Sequence, residues 1–297
     1  MRRTLAIILA AALAASPAFA QAVSFTDSRG VTISLPAKAA RIVSLSPAIT
    51  EMLFAVGAGP RVVGVTAYCN YPAAADALPE VGAYSPDTIS MEAIVALRPD
   101  LVLGEPQIHR QLADQFKAAG LRFAALDLTG FDAVFSAIET TGKAGGDQAM
   151  AAALVSSMKA RLEAVRAKLA AVPAGSRPLV FWEVWNEPLM TAGPGTFIGM
   201  VLEAAGARNV FADLTEDWPV VSFEALVARK PDYIMASQMQ AELLTPEKLA
   251  ARPGWSGLKA VKERRIVLLD GDIVSRPGPR FVEAVELIAK ALYPGLF

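Results

Sequence analysis

An eleven-residue stretch of this chain occurs twice, and this repeat constrains the fold more than any other feature. Ser90–Asp100 reads SMEAIVALRPD and Ser222–Asp232 reads SFEALVARKPD. Self-similarity of this kind indicates repeated structural units. Each copy runs into a short apolar stretch of the kind that forms a buried strand, Leu101–Gly104 and Tyr233–Ser237. The sequence therefore predicts two related lobes built on one helix-then-strand plan.

Short apolar runs alternate with helical patterns along both halves of the chain. This alternation predicts parallel strands that are connected and covered by helices. The fold class is therefore α/β, with a central parallel β-sheet flanked by helices in each lobe. The predicted strands are Arg41–Ser46, Val62–Tyr68, Leu101–Gly104 and Arg122–Asp127 in the first half, and Pro178–Trp185, Tyr233–Ser237 and Arg265–Asp270 in the second.

The segment between the halves has the pattern of one long amphipathic helix. It is rich in alanine and charged residues, and its apolar residues are spaced three and four apart. At about 1.5 Å per residue, a helix over Asp147–Ala171 would be roughly 37 Å long and would run along both lobes. We assign residues 41–146 to an N-terminal lobe, 147–174 to this connecting helix and 175–297 to a C-terminal lobe. The apolar positions are Leu154, Met158, Leu162, Val165 and Leu169.

The first twenty residues are typical of a cleavable export signal. Arg2 and Arg3 precede an apolar stretch, Leu5–Ala15, which is followed by Ala-Phe-Ala at 18–20. The apolar run is shorter than the roughly 20 residues that span a bilayer. We expect cleavage after Ala20, a periplasmic product and a short N-terminal segment at 21–40. No cysteine stands at the cleavage site, so a lipid anchor is not expected.

Composition excludes several classes of function. With 28 basic and 29 acidic residues, the chain lacks the positive charge of a nucleic-acid-binding protein. Cys69 is the only cysteine, which excludes an internal disulfide and a thiolate metal cluster. His109 is the only histidine, which excludes multi-histidine metal sites. We expect no metal site and place His109 on a solvated helix face.

Each repeat begins with a serine suited to cap a helix, which puts Glu92 and Glu224 in the first helical turn. Favourable interaction with the helix dipole, worth up to about 1 kcal/mol, explains each glutamate alone. Matched carboxylates in two related lobes would also suit a pair of arginines on a symmetric partner.

Three features together resemble the iron-siderophore/cobalamin class of periplasmic binding proteins of ABC importers: RIVSLSPAITE at Arg41–Glu51, the doubled glutamate repeat and the long middle helix. The resemblance covers nearly the whole mature chain. Three further motifs are most similar to cobalamin-binding members: YCNYP at 68–72, DWP at 217–219, and Asp272 with RPGPR at 276–280.

This resemblance implies a function in transport. The family has two lobes joined by one helix, with ligand held in the cleft between them, and works as a monomer. A glutamate of each lobe meets arginines of the membrane permease, whose ATPase is a separate protein; the matching positions are Glu92 and Glu224. The resemblance gives Glu51 a helix-face or structural role. We expect a small metal-chelate ligand, cobalamin first, and neither enzymatic activity nor a catalytic cofactor.

The resemblance also implies which side chains reach the ligand. It places Tyr68 and Tyr84 in the first lobe, and Trp185 and Trp218 in the second, where aromatic faces suit a flat macrocycle. The alternative for Trp185 is that it only closes its strand. Trp182 and Trp255 are expected to be structural.

Polar groups are expected at the cleft edge. Asp272 and Arg276 follow the last predicted strand and would hydrogen-bond a corrinoid, with pairing to each other as the alternative. One position departs from the cobalamin pattern. Glu105 stands where a cobalamin-binding protein can carry an aromatic residue, which favours an altered ligand orientation or a different ligand.

Two alternatives to cobalamin transport remain open. A ferric-siderophore or haem-binding protein would share the fold, and Tyr68 or His109 could serve as an axial ligand to haem. A glycoside hydrolase is suggested by the tetrapeptide Trp185–Pro188, in which Glu187 would be the acid/base. That mechanism needs a second carboxylate about 5–5.5 Å away and usually a TIM barrel. The predicted half-size sheets disfavour it.

Overall fold

The computed structural model describes residues 22–297. The predicted export signal at 1–20 lies outside this range. Two sheets of mainly parallel strands are joined through one long helix, as expected from the sequence. Within the described residues, no helix has both the length and the apolar character needed to cross a membrane.

A two-stranded antiparallel hairpin precedes the first lobe and was not predicted. Its strands are β1 (Val23–Thr26) and β2 (Thr32–Leu35), and each alternates buried with exposed residues. Such alternation is the signature of a half-buried strand. Ser28 N–H donates to the Ala125 carbonyl at 2.9 Å, so the hairpin is attached to the edge of the lobe.

The N-terminal lobe is a four-stranded parallel sheet in the order β4-β3-β5-β6. Strand β5 has the predicted bounds, and the other three strands lie inside the predicted ranges but are shorter, because the chain leaves the ladder soon after each buried run. The strands are β3 (Ile42–Ser44), β4 (Val62–Gly64), β5 (Leu101–Gly104) and β6 (Phe123–Ala125), and the helices are α1 (Pro47–Ala55), α2 (Ala73–Asp76), α3 (Met91–Ala96), α4 (Pro106–His109), α5 (Ala113–Ala118) and α6 (Phe131–Ala144).

The connecting helix α7 spans Gln148–Leu169, 22 residues or about 33 Å. The Asp147 carboxylate caps it by accepting from the Met150 N–H at 2.9 Å. It packs against α1 and α6 of the first lobe and against helices of the second lobe. Met158, Val165 and Leu169 are buried, as the predicted apolar stripe requires, and Leu154 and Leu162 are partly buried.

The C-terminal lobe contains a five-stranded sheet in the order β11-β10-β7-β8, with β9 beside the start of β7. Only β8 is antiparallel, and it pairs with the second half of β7. The elements are β7 (Leu179–Asn186), β8 (Leu189–Thr191), α8 (Phe197–Ala204), β9 (Arg208–Asn209), α9 (Phe223–Arg229), β10 (Tyr233–Ser237), α10 (Pro246–Ala251), α11 (Lys259–Lys262), β11 (Ile266–Leu269), α12 (Gly271–Val274) and α13 (Phe281–Leu292).

The two lobes share one parallel arrangement. The order β9-β7-β10-β11 in the second lobe matches β4-β3-β5-β6 in the first, and β8 is an addition to it. The repeat explains part of this likeness. Asp100 accepts from the Arg41 N–H at 2.9 Å, and Asp232 accepts from the Leu179 N–H at 2.9 Å, so each repeat fastens the start of the neighbouring strand.

The hydrophobic core continues from one lobe to the other. Phe131 at the start of α6 stacks on Phe281 at the start of α13, with ring centroids 4.4 Å apart. Phe281 is fully buried and also meets Phe197 of α8. These aromatic contacts hold the lobes together beside the connecting helix.

Candidate ligand-binding cleft

The loops that follow the parallel strands of both lobes face each other. Tyr68 and Glu105 come after β4 and β5, and Asp272 and Arg276 come after β11. Arg276 donates to the Tyr68 carbonyl at 3.1 Å, which brings the two strand edges into contact. Ligands of open α/β sheets bind outside the carboxyl ends of the strands. This edge is therefore the candidate binding cleft.

A cavity of about 280 Å³ lies at this junction. It contains three of the six side chains predicted to bind ligand, Tyr68, Tyr84 and Arg276. Small-molecule sites usually measure about 300–1,000 Å³. A macrocycle would therefore extend from this cavity over the exposed rim. The lining residues are Ser46, Pro47, Ala48, Tyr68, Tyr84 and Glu105 from the first lobe and Ser275, Arg276 and Pro277 from the second.

A larger groove of about 780 Å³ runs along α7 between α6 and α8. Its walls are helix faces, including Phe135, Leu162 and Met200, and no strand-end loop of the cleft contributes to it. If volume were the only criterion, this groove would be the preferred candidate for the ligand site. We place the ligand site in the smaller cavity because both lobes present loops from strand carboxyl ends there.

The floor of the cavity is formed by Tyr84 and Glu105, and the buried ring of His109 lies next to them outside the lining. The Tyr84 hydroxyl donates to Glu105 Oε1 at 2.8 Å. His109 Nδ1 accepts from the Glu105 backbone N–H at 3.0 Å, and Nε2 lies 3.2 Å from the Tyr84 carbonyl. Nδ1 is thus the unprotonated nitrogen, and Nε2 carries the hydrogen. Burial raises the pKa values of Tyr84 and Glu105 and lowers the pKa of His109.

The expectation of a solvated His109 is wrong. Its side chain is fully buried, because α4 starts with Pro106 directly after β5 and turns the ring under the strand end. Both ring nitrogens already have partners within the protein. His109 therefore has no free nitrogen for an axial bond to haem in this arrangement, whereas Tyr68 is 58% exposed.

A polar cluster that we call the interlobe clamp joins the lobes at the cleft edge. Glu51 of α1 is 3% exposed and accepts two bonds from Arg280, at 2.6 and 2.8 Å. Arg276 lies 3.3 Å from the same carboxylate. Asn70 accepts from Arg276 and donates to Asp272, both at 2.7 Å. These five residues form the clamp, and the contacts of Glu51 favour the structural alternative over a helix-face role.

The clamp shapes the electrostatics of the cleft. Hydrogen bonding to Glu51 raises the pKa of Arg280, whose guanidinium also lies 4.0 Å from the centroid of the Tyr71 ring. Arg276 pairs with Asp272 at 2.7 Å, so the ion pairing considered from the sequence is present. Sequence reasoning missed the contacts of Glu51, because its partners lie more than 200 residues away in the chain.

The two predicted tryptophans lie on the surface of the C-terminal lobe. Trp185 is at the end of β7 and is 54% exposed; its Nε1–H donates to the Glu187 carbonyl at 2.9 Å. Trp218 is 49% exposed and follows Asp217, whose carbonyl accepts from Gly193 N–H. Neither belongs to the lining of the 280 Å³ cavity.

Trp182 and Trp255 are buried, at 2% and 5% exposure, as expected of structural residues.

Glu187 is exposed in the turn between β7 and β8. The two separate sheets are not the barrel that a glycosidase of the Asn-Glu-Pro type uses. Within residues 22–297, no group of three His, Cys, Asp or Glu side chains could hold a metal ion.

Glu92 and Glu224 are both exposed in the first turns of α3 and α9. Ser90 and Ser222 cap these helices by accepting from the N–H three residues on, each at 3.1 Å. The predicted caps are confirmed. Within the described chain, neither glutamate has a basic partner within the 4.0 Å limit of an ion pair.

Comparison with known proteins gives consistent matches along the chain. The sequence model described as periplasmic binding protein matches residues 42–273. The uncharacterized ABC transporter substrate-binding lipoprotein YvrC of Bacillus subtilis is 34% identical over 280 residues, 93% of this chain and 87% of the relative. A vitamin B12-binding protein of Yersinia pestis is 31% identical over 266 residues, 88% and 89% of the two chains. The periplasmic haem-binding protein RhuT of Roseiflexus superposes with a TM-score of 0.76 at 28% identity, covering 86% of this chain and 99% of the other.

Proposed function

The chain belongs to the periplasmic binding protein family, and from this membership we propose that it captures cobalamin or a related corrinoid for an ABC importer. At the coarser level it is a substrate-binding protein of the class that includes iron-chelate, cobalamin and haem carriers. This class binds and delivers a solute. The cargo and the residues that hold it are the content of the proposal.

The observation that carries the cargo proposal is the exposure of large aromatic side chains in both lobes, one of them, Tyr68, in the lining of the cavity. Tyr68 of the first lobe and Trp185 and Trp218 of the second are about half exposed, although burial would stabilise such side chains. An extended planar ligand would cover them. The likeness to a vitamin B12-binding protein over nearly the whole of both chains supports a corrinoid.

Polar groups would fix the orientation of the macrocycle. Arg276 and Tyr84 line the cavity, and Asp272 lies next to Arg276 at its edge. The peripheral amides of a corrinoid, and the phosphate of a complete cobalamin, are suitable hydrogen-bonding partners for such groups.

Delivery requires a surface that the permease recognises. Glu92 and Glu224 stand in equivalent places in the two lobes, exposed and without basic partners in the described chain. They would pair with arginines of the permease, while a separate ATPase supplies energy. Export through a signal at residues 1–20 would bring a monomeric mature protein to the periplasm.

Haem is the second candidate cargo. The structural likeness to RhuT and the exposed hydroxyl-bearing ring of Tyr68 favour it. Ferric siderophores belong to the same class, but the clamp already pairs Arg276 and Arg280 with carboxylates, which leaves little free positive charge for an anionic chelate. Glycoside hydrolysis by Glu187 is a remote alternative.

The proposal is tested by titrating the mature protein, residues 21–297, with cyanocobalamin in a calorimeter, with haemin and a ferric hydroxamate in parallel. We expect tight binding of one cyanocobalamin per chain. Binding of haemin or the ferric chelate with no heat from cyanocobalamin would reject the corrinoid and keep the transport class. Absence of binding to all three would reject the cleft proposal, and aryl-glycoside hydrolysis would then be measured with Glu187→Gln as control.

A further inference from the structure

Four acidic side chains are buried within residues 22–297, and three of them are paired with arginine. Glu105 is 8% exposed and, within the described chain, has no basic side chain within 4.0 Å. A buried charge without a partner is strongly unfavourable, and such groups are concentrated at functional sites. The three pairs are Asp27 with Arg29, Glu51 with Arg280 and Glu183 with Arg252.

The neighbours of Glu105 do not supply the missing positive charge. Tyr84 donates a hydrogen bond to it at 2.8 Å, and the Ser46 hydroxyl lies beside it. The nearby charge, that of Asp127, is negative. The His109 ring bonds to the backbone N–H of Glu105 and not to its carboxyl group, and burial lowers the pKa of this ring.

Glu105 also lines the cavity at its floor, so a ligand in the cavity would lie against this residue. Arg276 lines the cavity from the second lobe, but its guanidinium is held by Glu51, Asp272 and Asn70. The first-lobe side of the cavity therefore offers a ligand the acceptor oxygens of Glu105. On the second-lobe side, the positive charge of Arg276 is already neutralised by Glu51 and Asp272. Such a site suits a donor and opposes an anion.

We propose that Glu105 determines cargo specificity: its carboxyl group accepts a hydrogen bond from an N–H donor such as a primary carboxamide, and it disfavours cargo that places carboxylates in the cavity. This inference rests on the proposed function and makes its chemistry more specific. Corrinoids carry peripheral carboxamides, whereas haem carries two propionates.

The test compares the mature wild-type protein with Glu105→Gln, using cyanocobalamin and haemin as probes. Glutamine keeps the size of the side chain and an oxygen that can accept from Tyr84, so the fold should be retained; thermal unfolding checks this. Asp127→Asn is the matched control, because it removes a nearby negative charge from a residue outside the cavity lining.

We expect Glu105→Gln to weaken cyanocobalamin binding roughly tenfold, near the lower limit for a hydrogen bond to a charged group. Haemin binding should become tighter by a similar factor, because the carboxyl group that opposes its propionates is removed. The control should leave the ratio of the two affinities within about twofold. An unchanged ratio in Glu105→Gln, with cyanocobalamin bound by both proteins, overturns the inference and leaves the proposed function standing.

A wild-type protein that binds haemin and not cyanocobalamin overturns the corrinoid proposal. The role of Glu105 in specificity is then tested with haemin alone. Tighter haemin binding by Glu105→Gln than by the wild type supports the inference, and equal or weaker binding overturns it. Failure of both probes to bind either protein overturns both proposals.

Discussion

Replacing Glu51 by glutamine should destabilise the whole molecule, because this carboxylate is the centre of the interlobe clamp. It is 3% exposed and accepts two short bonds from Arg280, while Arg276 approaches to 3.3 Å. The arginine side chains are only 14% and 17% exposed, so solvent compensates them poorly. Breaking a buried pair by removing one partner costs about 3–5 kcal/mol. We expect a loss near the lower limit, about 3 kcal/mol, because Asp272 still pairs with Arg276.

The measurement is a double-mutant cycle by urea unfolding with Glu51→Gln, Arg280→Met and the double variant. The two side chains should be coupled by about 2 kcal/mol, since Arg280 makes both of its close bonds to this one carboxylate. Arg264→Met provides a control on an exposed ion pair with Glu247, and its unfolding midpoint should match that of the wild type. Small-angle scattering of Glu51→Gln should show a larger radius of gyration if the clamp holds the lobes closed.

A coupling below about 0.5 kcal/mol would refute this reasoning, because it would show that the pair is worth no more than a surface ion pair. Two separate unfolding transitions in the wild type would also count against it. The clamp and the continuous aromatic core both require the lobes to unfold together.

Three further predictions concern the surface and the cleft. Glu92→Ala with Glu224→Ala should abolish uptake in cells and leave cyanocobalamin affinity unchanged; Glu247→Ala, another first-turn glutamate, is the control, and full uptake by the double variant would reject docking. Trp218→Ala should weaken cyanocobalamin binding by about 1–3 kcal/mol if the ring stacks on cargo, measured by calorimetry, whereas an equal affinity would return Trp218 to a structural role. Burial raises the folded-state pKa of Glu105, so the folded protein binds more protons there than the unfolded chain and loses stability as pH rises from about 4.5. The stability of Glu105→Gln relative to wild type should therefore increase with pH in urea unfolding, and a constant difference would contradict the shift.

The repeat and the apolar runs predicted most of the fold, since both are local signals. Strand β10 has the predicted bounds, Tyr233–Ser237, and α7 lies inside the predicted range. The hairpin β1–β2 was missed although Val23–Thr26 alternates buried and exposed residues, because four residues are too few to separate a strand from a loop. Strand β8 has only three residues and depends on β7 for its hydrogen bonds.

Less of the candidate cleft was predictable. Tyr68, Tyr84 and Arg276 could be named from motifs, and the structure brings all three to one cavity. The floor could not be predicted, because the burial of His109 depends on how a four-residue helix leaves β5. The clamp was equally hidden, since no local pattern indicates that residues 225 and 229 positions apart will meet.

The matching strand orders of the two lobes have a statistical consequence for assembly. A permease with two-fold symmetry that bound Glu92 and Glu224 would meet nearly equivalent carboxylates on the two lobes. The protein could then dock in either of two orientations related by a half turn. This degeneracy doubles the number of productive encounters and is worth RT ln 2, about 0.4 kcal/mol. A cargo meets no such degeneracy, because the cavity floor with Glu105 belongs to one lobe and the β7–β8 extension with Trp185 to the other. Under the proposed function, the protein would therefore dock on the permease in two orientations, whereas its cargo would bind in only one.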